Sequence, residues 1–296
     1  MADRLELLLA AAERLTVDLV AQTPVTVRLE NDTPGYARHV ADREGFDVLP
    51  VEESDGRIIR YIDKLALDAH GPDDKWDGFE FVEVHADDLV SAATPLLDLL
   101  NRFSRARPRL FVLGRRQIDG IVTVYDLNQP AAHQFGFALS LVVEAELARS
   151  IEDAERKCGK ELDVEVDARI AERVLALPRD RFGDAVGRVA RWRAKVANGE
   201  QVRLSRELVF NDKIGLIEAM GLAAELAGRC AGLNDGHGAA FVERLRNEVK
   251  ELRNAVAHDR GELADEWSMW QWMRTTLDLA RSLSAQDDRK LAGLSS

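Results

Sequence analysis

The chain of 296 residues is short of cysteine and of positive charge, and it has no long apolar run. Its two cysteines, Cys158 and Cys230, cannot build a disulfide framework, and no Cys/His cluster has the spacing of a zinc site, so no metal ligands are expected. No segment approaches the roughly 18 uninterrupted apolar residues that a membrane helix needs, and no membrane partner is expected. The opening MADRLELLLAAAERL carries Asp and Glu inside its apolar run and lacks a basic start. That argues against a secretion signal and for a cytoplasmic, reduced setting. A formal net charge of −12 argues against a general nucleic-acid coat or a binder of anionic membranes, and no DNA partner is expected. What is present, 46% hydrophobic and 31% charged residues, suffices for two cores.

The acid is unevenly spread. Residues 1–130 hold 15 Lys and Arg against 24 Asp and Glu, and residues 131–296 hold 25 against 28. Residues 101–116 carry six arginines (Arg102, Arg105, Arg107, Arg109, Arg115 and Arg116) and no acid. Charge this local acts within a Debye length of about 8 Å, whatever the net charge. It is either a solvated helix and loop or a phosphate site.

Before residue 131, short strand-like runs alternate with short helical ones: PVTVRLE, a helical stretch to Arg43, FDVLPVEE, a turn at SDG, and RIIRYIDK. β-Branched and aromatic residues bounded by Asp/Gly turns predict strands. A second pass repeats the order from Phe79: EFVEVHADD, a helix through SAATPLLDLLNRF, RLFVLGRR, a turn at QIDG, and IVTVYDLN. Asp55-Gly56 and Asp119-Gly120 are expected to close a hairpin in each pass, since tight two-residue turns need positive φ. The pattern is an internal duplication.

FDVLPVEESDGRIIRYIDKLAL and LFVLGRRQIDGIVTVYDLN each resemble the second half of a CBS domain, and the resemblance to a tandem CBS pair covers roughly residues 15–131. It implies two β-α-β-β-α units. The diagnostic segment is Gly120 to Asp126, which matches Gly-x-x-[Ser/Thr]-x-x-Asp. In that family the pattern puts the hydroxyl on a phosphate and the carboxylate on the ribose hydroxyls of an adenine nucleotide such as AMP, ADP or ATP. The resemblance thus implies Gly120, Thr123 and Asp126 as ligand-binding residues, with Arg107, Arg109 or Arg115 as phosphate partners. Aligned on its turn, the first copy departs from the pattern, with Arg60 in place of the Thr and Asp63 keeping the carboxylate. The plain structural alternative makes Thr123 a strand-end residue and Asp126 a helix cap.

From Ala131 onward turn residues nearly vanish. Helical stretches are expected from FGFALSLVVEAELARSIEDAERK onward and near 165–176, 179–197, 204–231, 238–258 and 265–284, which predicts a bundle of long antiparallel helices. The chain is read as α+β: an N-terminal pair at 1–131 followed by an all-α bundle at 132–296. In FVERLRNEVKELRNAVAHDRG, Leu245, Val249, Leu252 and Val256 fall on one helical stripe. Spacing by itself makes His258 a cation at a helix C-terminus.

LRNAVAH resembles the signature of the HEPN superfamily, helical bundles whose late core helix carries Arg-x-x-x-x-His, and the resemblance covers roughly residues 134–286. It implies Arg253, Asn254 and His258 as catalytic residues of a metal-independent endoribonuclease that needs no cofactor and has RNA as substrate. A histidine can exchange protons at neutral pH, and a permanently charged arginine can stabilise charge on a scissile phosphate. In that family the site is completed across a symmetric interface, which implies a homodimer. The combined expectation is a nucleotide-regulated endoribonuclease. The alternative is a non-catalytic adenine-nucleotide sensor whose helical part only dimerises or docks a partner.

Overall fold

Two Thr-Pro dipeptides open the helices of the duplicated unit. In the computed structural model, which describes residues 7, 11, 14–71, 73–114, 117–156, 162–178, 184–230, 237–257 and 265–284, Thr33 caps helix α1 (Pro34–Glu44) by accepting a hydrogen bond from the Tyr36 N–H. Proline suits the first helical turn, where its missing N–H has no intrahelical partner to lose. Gly45, at φ 72°, then ends α1 in the left-handed conformation. β1 (Val48–Glu52) and β2 (Ile58–Asp63) follow as an antiparallel pair leading into α2 (Lys64–Asp68). The second copy runs β4 (Leu89–Ser91), α3 (Leu96–Arg102), β5 (Arg109–Leu113) and β6 (Ile118–Thr123), and ends in a 3-10 turn at Val124–Asn128.

The repeat is close enough to superimpose the registers. Val48 stands opposite Asp63 as Arg109 stands opposite Thr123, and a bulge falls between Val51 and Glu52 as it does between Val112 and Leu113. β4 lies parallel to β5, and its counterpart in the first copy is a single parallel bridge from Val27 to Val51. The strand expected over PVTVRLE is therefore reduced to one residue pair.

Each copy completes the other. β3 (Val82–Glu83) leads into the second copy but pairs with β2 of the first, Val82 opposite Tyr61. Gln22 leads into the first copy but bridges Ile121 of the second. The two sheets, β1-β2-β3 and β4-β5-β6, are thus linked by exchanged edges. Covering an edge in this way removes the row of unpaired backbone groups that an open strand would present. Where the copies meet, Phe111, Ile58 and Ile118 are buried together, and the Tyr61 and Phe111 rings sit 5.4 Å apart.

The expected hairpin turn at Asp119-Gly120 is corrected. Both residues lie inside β6, with Gly120 paired to Val112, and the chain turns earlier, where the Gly114 N–H donates to the Gln117 carbonyl at 2.9 Å. Gly120 is needed for space, since a Cβ there would lie 2.9 Å from the Val112 Cβ. In the first copy Gly56 does turn the chain, at φ 80°.

The chain divides into two compact units, one spanning Ala12–Ala132 and the other taking in His133–Ser296. The regular elements of the second are all helices among its described residues: α4 (Pro130–Glu155), α5 (Asp163–Ala176), α6 (Ala185–Ala197), α7 (Leu204–Glu207), α8 (Phe210–Ala219), α9 (Ala223–Arg229) and α10 (Gly238–Arg244). A π-helical turn (Leu245–Val249) leads on to α11 (Lys250–Ala257), and α12 (Glu266–Ser284) is the last element among the described residues. The single helix expected over 204–231 is broken twice. Leu208 and Val209 are extended, and Gly221 takes φ 70° after α8. Trp192 is buried and its indole N–H donates to the Val202 carbonyl at 3.0 Å. Among the described residues no helix is long and apolar enough to cross a membrane.

Candidate functional site

β6 delivers Thr123 to the start of the 3-10 turn, and the turn brings Asp126 back beneath it. The Thr123 N–H donates to Asp126 Oδ2 at 2.7 Å and its hydroxyl donates to the same oxygen at 2.9 Å. Asp126 Oδ1 accepts from the side-chain amide of Gln22 at 2.8 Å. The Asp126 residue is only 3% exposed. Burial pushes its pKa above the usual carboxylate range, and the bonds from Thr123 and Gln22 oppose the shift. Gly120 lies on β6 within the bulged part of the ladder.

The register reassigns the first copy. Asp63, not Arg60, occupies the position of Thr123, because both stand opposite the first residue of their partner strand and both cap the following helix. Counting on, Ala66 holds the position of Asp126. The turn-based alignment is three residues out because the two Asp-Gly pairs are not equivalent.

The arginines expected as phosphate partners are engaged with carboxylates. Arg109, on β5, lies 3.2 Å from Asp63 Oδ1, with its guanidinium over the Tyr61 ring at 5.4 Å from the centroid. Arg107 lies 3.5 Å from Asp87 and 3.7 Å from Asp88. Arg115 lies outside the described residues.

In the helical unit, Arg253 and Asn254 sit half-buried on α11, and His258 lies outside the described residues. The Arg253 side chain is 32% exposed and its Nε faces Glu144 Oε2 of α4 at 3.4 Å. Glu144 is shared, since its other oxygen accepts from the Lys213 ammonium at 2.6 Å. Lys213 is itself buried and also donates to the Leu208 carbonyl at 2.7 Å. Burial lowers its pKa, against the opposing pull of Glu144. Next to it Asp212, fully buried, takes a bidentate pair of bonds from Arg188 at 2.6 and 2.8 Å. Sequence reading missed this network. The only signal was Asp-Lys inside the apolar run of FNDKIGLIEAM, where buried charges must find partners.

Two further residues bear on chemistry. Cys230 is buried, and burial pushes its thiol up to about 11, so it stays protonated and inert. Cys158 lies outside the described residues. Among the described residues no group of three or more His, Cys, Asp and Glu is placed to hold a metal ion.

No family model and no curated protein matches the chain. It is similar to solved structures of CBS domains at low identity. The CBS domains of a transcriptional regulator from Streptococcus pneumoniae are 16% identical, with a TM-score of 0.33 over 38% of this chain and 95% of that one. The CBS domain of a CBS domain containing membrane protein from Sphaerobacter thermophilus is 16% identical, with a TM-score of 0.34 over 42% of this chain and 92% of that one. A CBS domain pair solved in complex with 5′-methylthioadenosine and S-adenosyl-L-methionine is 14% identical, with a TM-score of 0.32 over 38% of this chain and 97% of that one.

Proposed function

We propose that the chain is a regulatory binding protein. Its N-terminal unit takes an adenine nucleoside or nucleotide at the corner made by Thr123 and Asp126, and its helical unit pairs with a second copy or docks a partner. The observation that carries this reading is the buried Asp126 carboxyl, held by three neutral donors from Thr123 and Gln22. Removing a carboxylate from water without a cation beside it is costly, and a helix start needs only an exposed cap. A carboxyl kept at such cost, with its pKa displaced, is the kind of group that functional sites retain. Its oxygens suit the paired donors of a ribose diol. Titration calorimetry with AMP, ADP, ATP and S-adenosyl-L-methionine tests the reading. Binding that Asp126→Ala abolishes is the expected result, and heat changes of dilution only would overturn it.

A second reading, that of a metal-independent endoribonuclease, is favoured by the pairing of Arg253 with Glu144. An arginine paired with a carboxylate at 3.4 Å and still partly open to solvent suits a phosphodiester. Under this reading Arg253 binds the scissile phosphate, Asn254 orients it, and His258 exchanges the proton of the 2′-hydroxyl. Its test is cleavage of a mixed tRNA and mRNA pool in EDTA, wild type against His258→Ala. Loss of cleavage in the variant supports it, and an uncut pool with the wild type removes it.

A further inference from the structure

The Asp126 carboxyl is buried beneath an exposed residue. Gln22 is exposed, yet its side-chain amide reaches inward to Asp126 Oδ1 at 2.8 Å. Its backbone holds it there by reciprocal bonds to Ile121, both 2.9 Å. The segment before it is tied down as well, with the Val17 N–H donating to the Thr94 carbonyl at 2.9 Å and the Asp18 N–H to the Ala92 carbonyl at 3.1 Å. Thr123 fills the other oxygen with two donors.

The other half of the duplication makes the arrangement informative. Val82 stands opposite Tyr61 as Gln22 stands opposite Ile121, so Val82 is the counterpart of Gln22. The counterpart of Asp126 is Ala66. Where the carboxyl is absent, the residue at the position of Gln22 is apolar. Where the carboxyl is present, that position offers an amide donor.

We infer that Gln22 is a built-in occupant of the diol position, an internal competitor whose amide fills Asp126 Oδ1 until a ligand hydroxyl replaces it. The inference rests on the ligand-binding reading above and adds its regulation: binding requires the Gln22 side chain to swing outward. The backbone bridge to Ile121 need not break, because the amide alone occupies the carboxyl. The exchange swaps one neutral donor for another on the same oxygen. Affinity is thereby held down by the strength of one hydrogen bond to a charged group, a factor of about ten or more.

The test measures affinity for the tightest binder among AMP, ADP and ATP, alongside its 2′,3′-dideoxy analogue, in wild type, Gln22→Ala and Gln22→Met. Met keeps the length and apolar stem of the side chain, so a folding defect in the Ala variant does not decide the matter. The expected result is binding about tenfold tighter in both variants for the ribonucleotide, with little change for the dideoxy analogue, which has no hydroxyl to take the vacated place. Equal affinity in wild type and variants overturns the inference and leaves the ligand reading standing. Weaker binding in the variants also overturns it, by making Gln22 a ligand contact. No binding by any of the three proteins removes the ligand reading, and this inference with it.

Discussion

Asp126 and Asp212 are both buried carboxyls, and they are stabilised in opposite ways. Asp212 is held by a guanidinium in bidentate geometry, with the Val209 N–H as a further donor at 3.3 Å. Arg188→Met leaves that charge buried without its partner and is expected to destabilise the protein by about 3–5 kcal/mol, whereas Arg188→Met with Asp212→Leu recovers most of the loss. Denaturant unfolding of the two variants measures the difference. Asp126 has neutral donors only, and burial raises its pKa. The folded state then binds the Asp126 proton more tightly than the unfolded chain does. Stability from this group is therefore greatest in acid and falls as pH rises from the ordinary carboxylate value of about 4 through the raised one. Asp126→Asn does not titrate, so the difference in unfolding midpoint between wild type and variant is expected to shrink as pH rises through that window. A difference that grows with pH would contradict the assigned direction.

At the level of elements, small departures from regular geometry decide where side chains point. The bulge in the β5–β6 ladder lets Gly120 sit against Val112 with no room for a Cβ. Gly120→Ala is expected to cost about 1–3 kcal/mol through overpacking, and Val112→Ala in the same chain to relieve part of it. Thermal denaturation of the single and double variants checks both. The late helix departs from its expected stripe at its end. Leu245, Val249 and Leu252 are buried as their spacing predicts, but the fourth buried position is Ala255 rather than Val256. On the same helix, Arg253 meets Glu144 of α4. Glycine at 136 serves the same packing, since a Cβ there would lie 3.1 Å from Leu252 and Met273.

The whole molecule has two units, each with its own core: Val27, Leu49, Ile62 and their neighbours in the N-terminal one, Leu147, Ile170, Leu216 and Leu279 among those in the helical one. Separate cores predict separate unfolding transitions. A nucleotide that binds the N-terminal unit raises its transition by mass action, about 2.7 kcal/mol at a hundredfold excess over Kd, and leaves the helical transition in place. Scanning calorimetry with and without nucleotide checks this, and a single transition that moves as one would show that the units unfold together. By itself the sequence determined the duplication, the mixed α+β character and the helical character of the described residues in the C-terminal half, because periodicity and turn residues act locally. It could not reveal that the strand over PVTVRLE is a single bridge, that Asp63 matches Thr123, or that Gln22 covers Asp126. Nor could it reveal that Glu144 joins Lys213 to Arg253. Those facts depend on strand register and on pairings across tens of residues, which only the packed chain brings into contact.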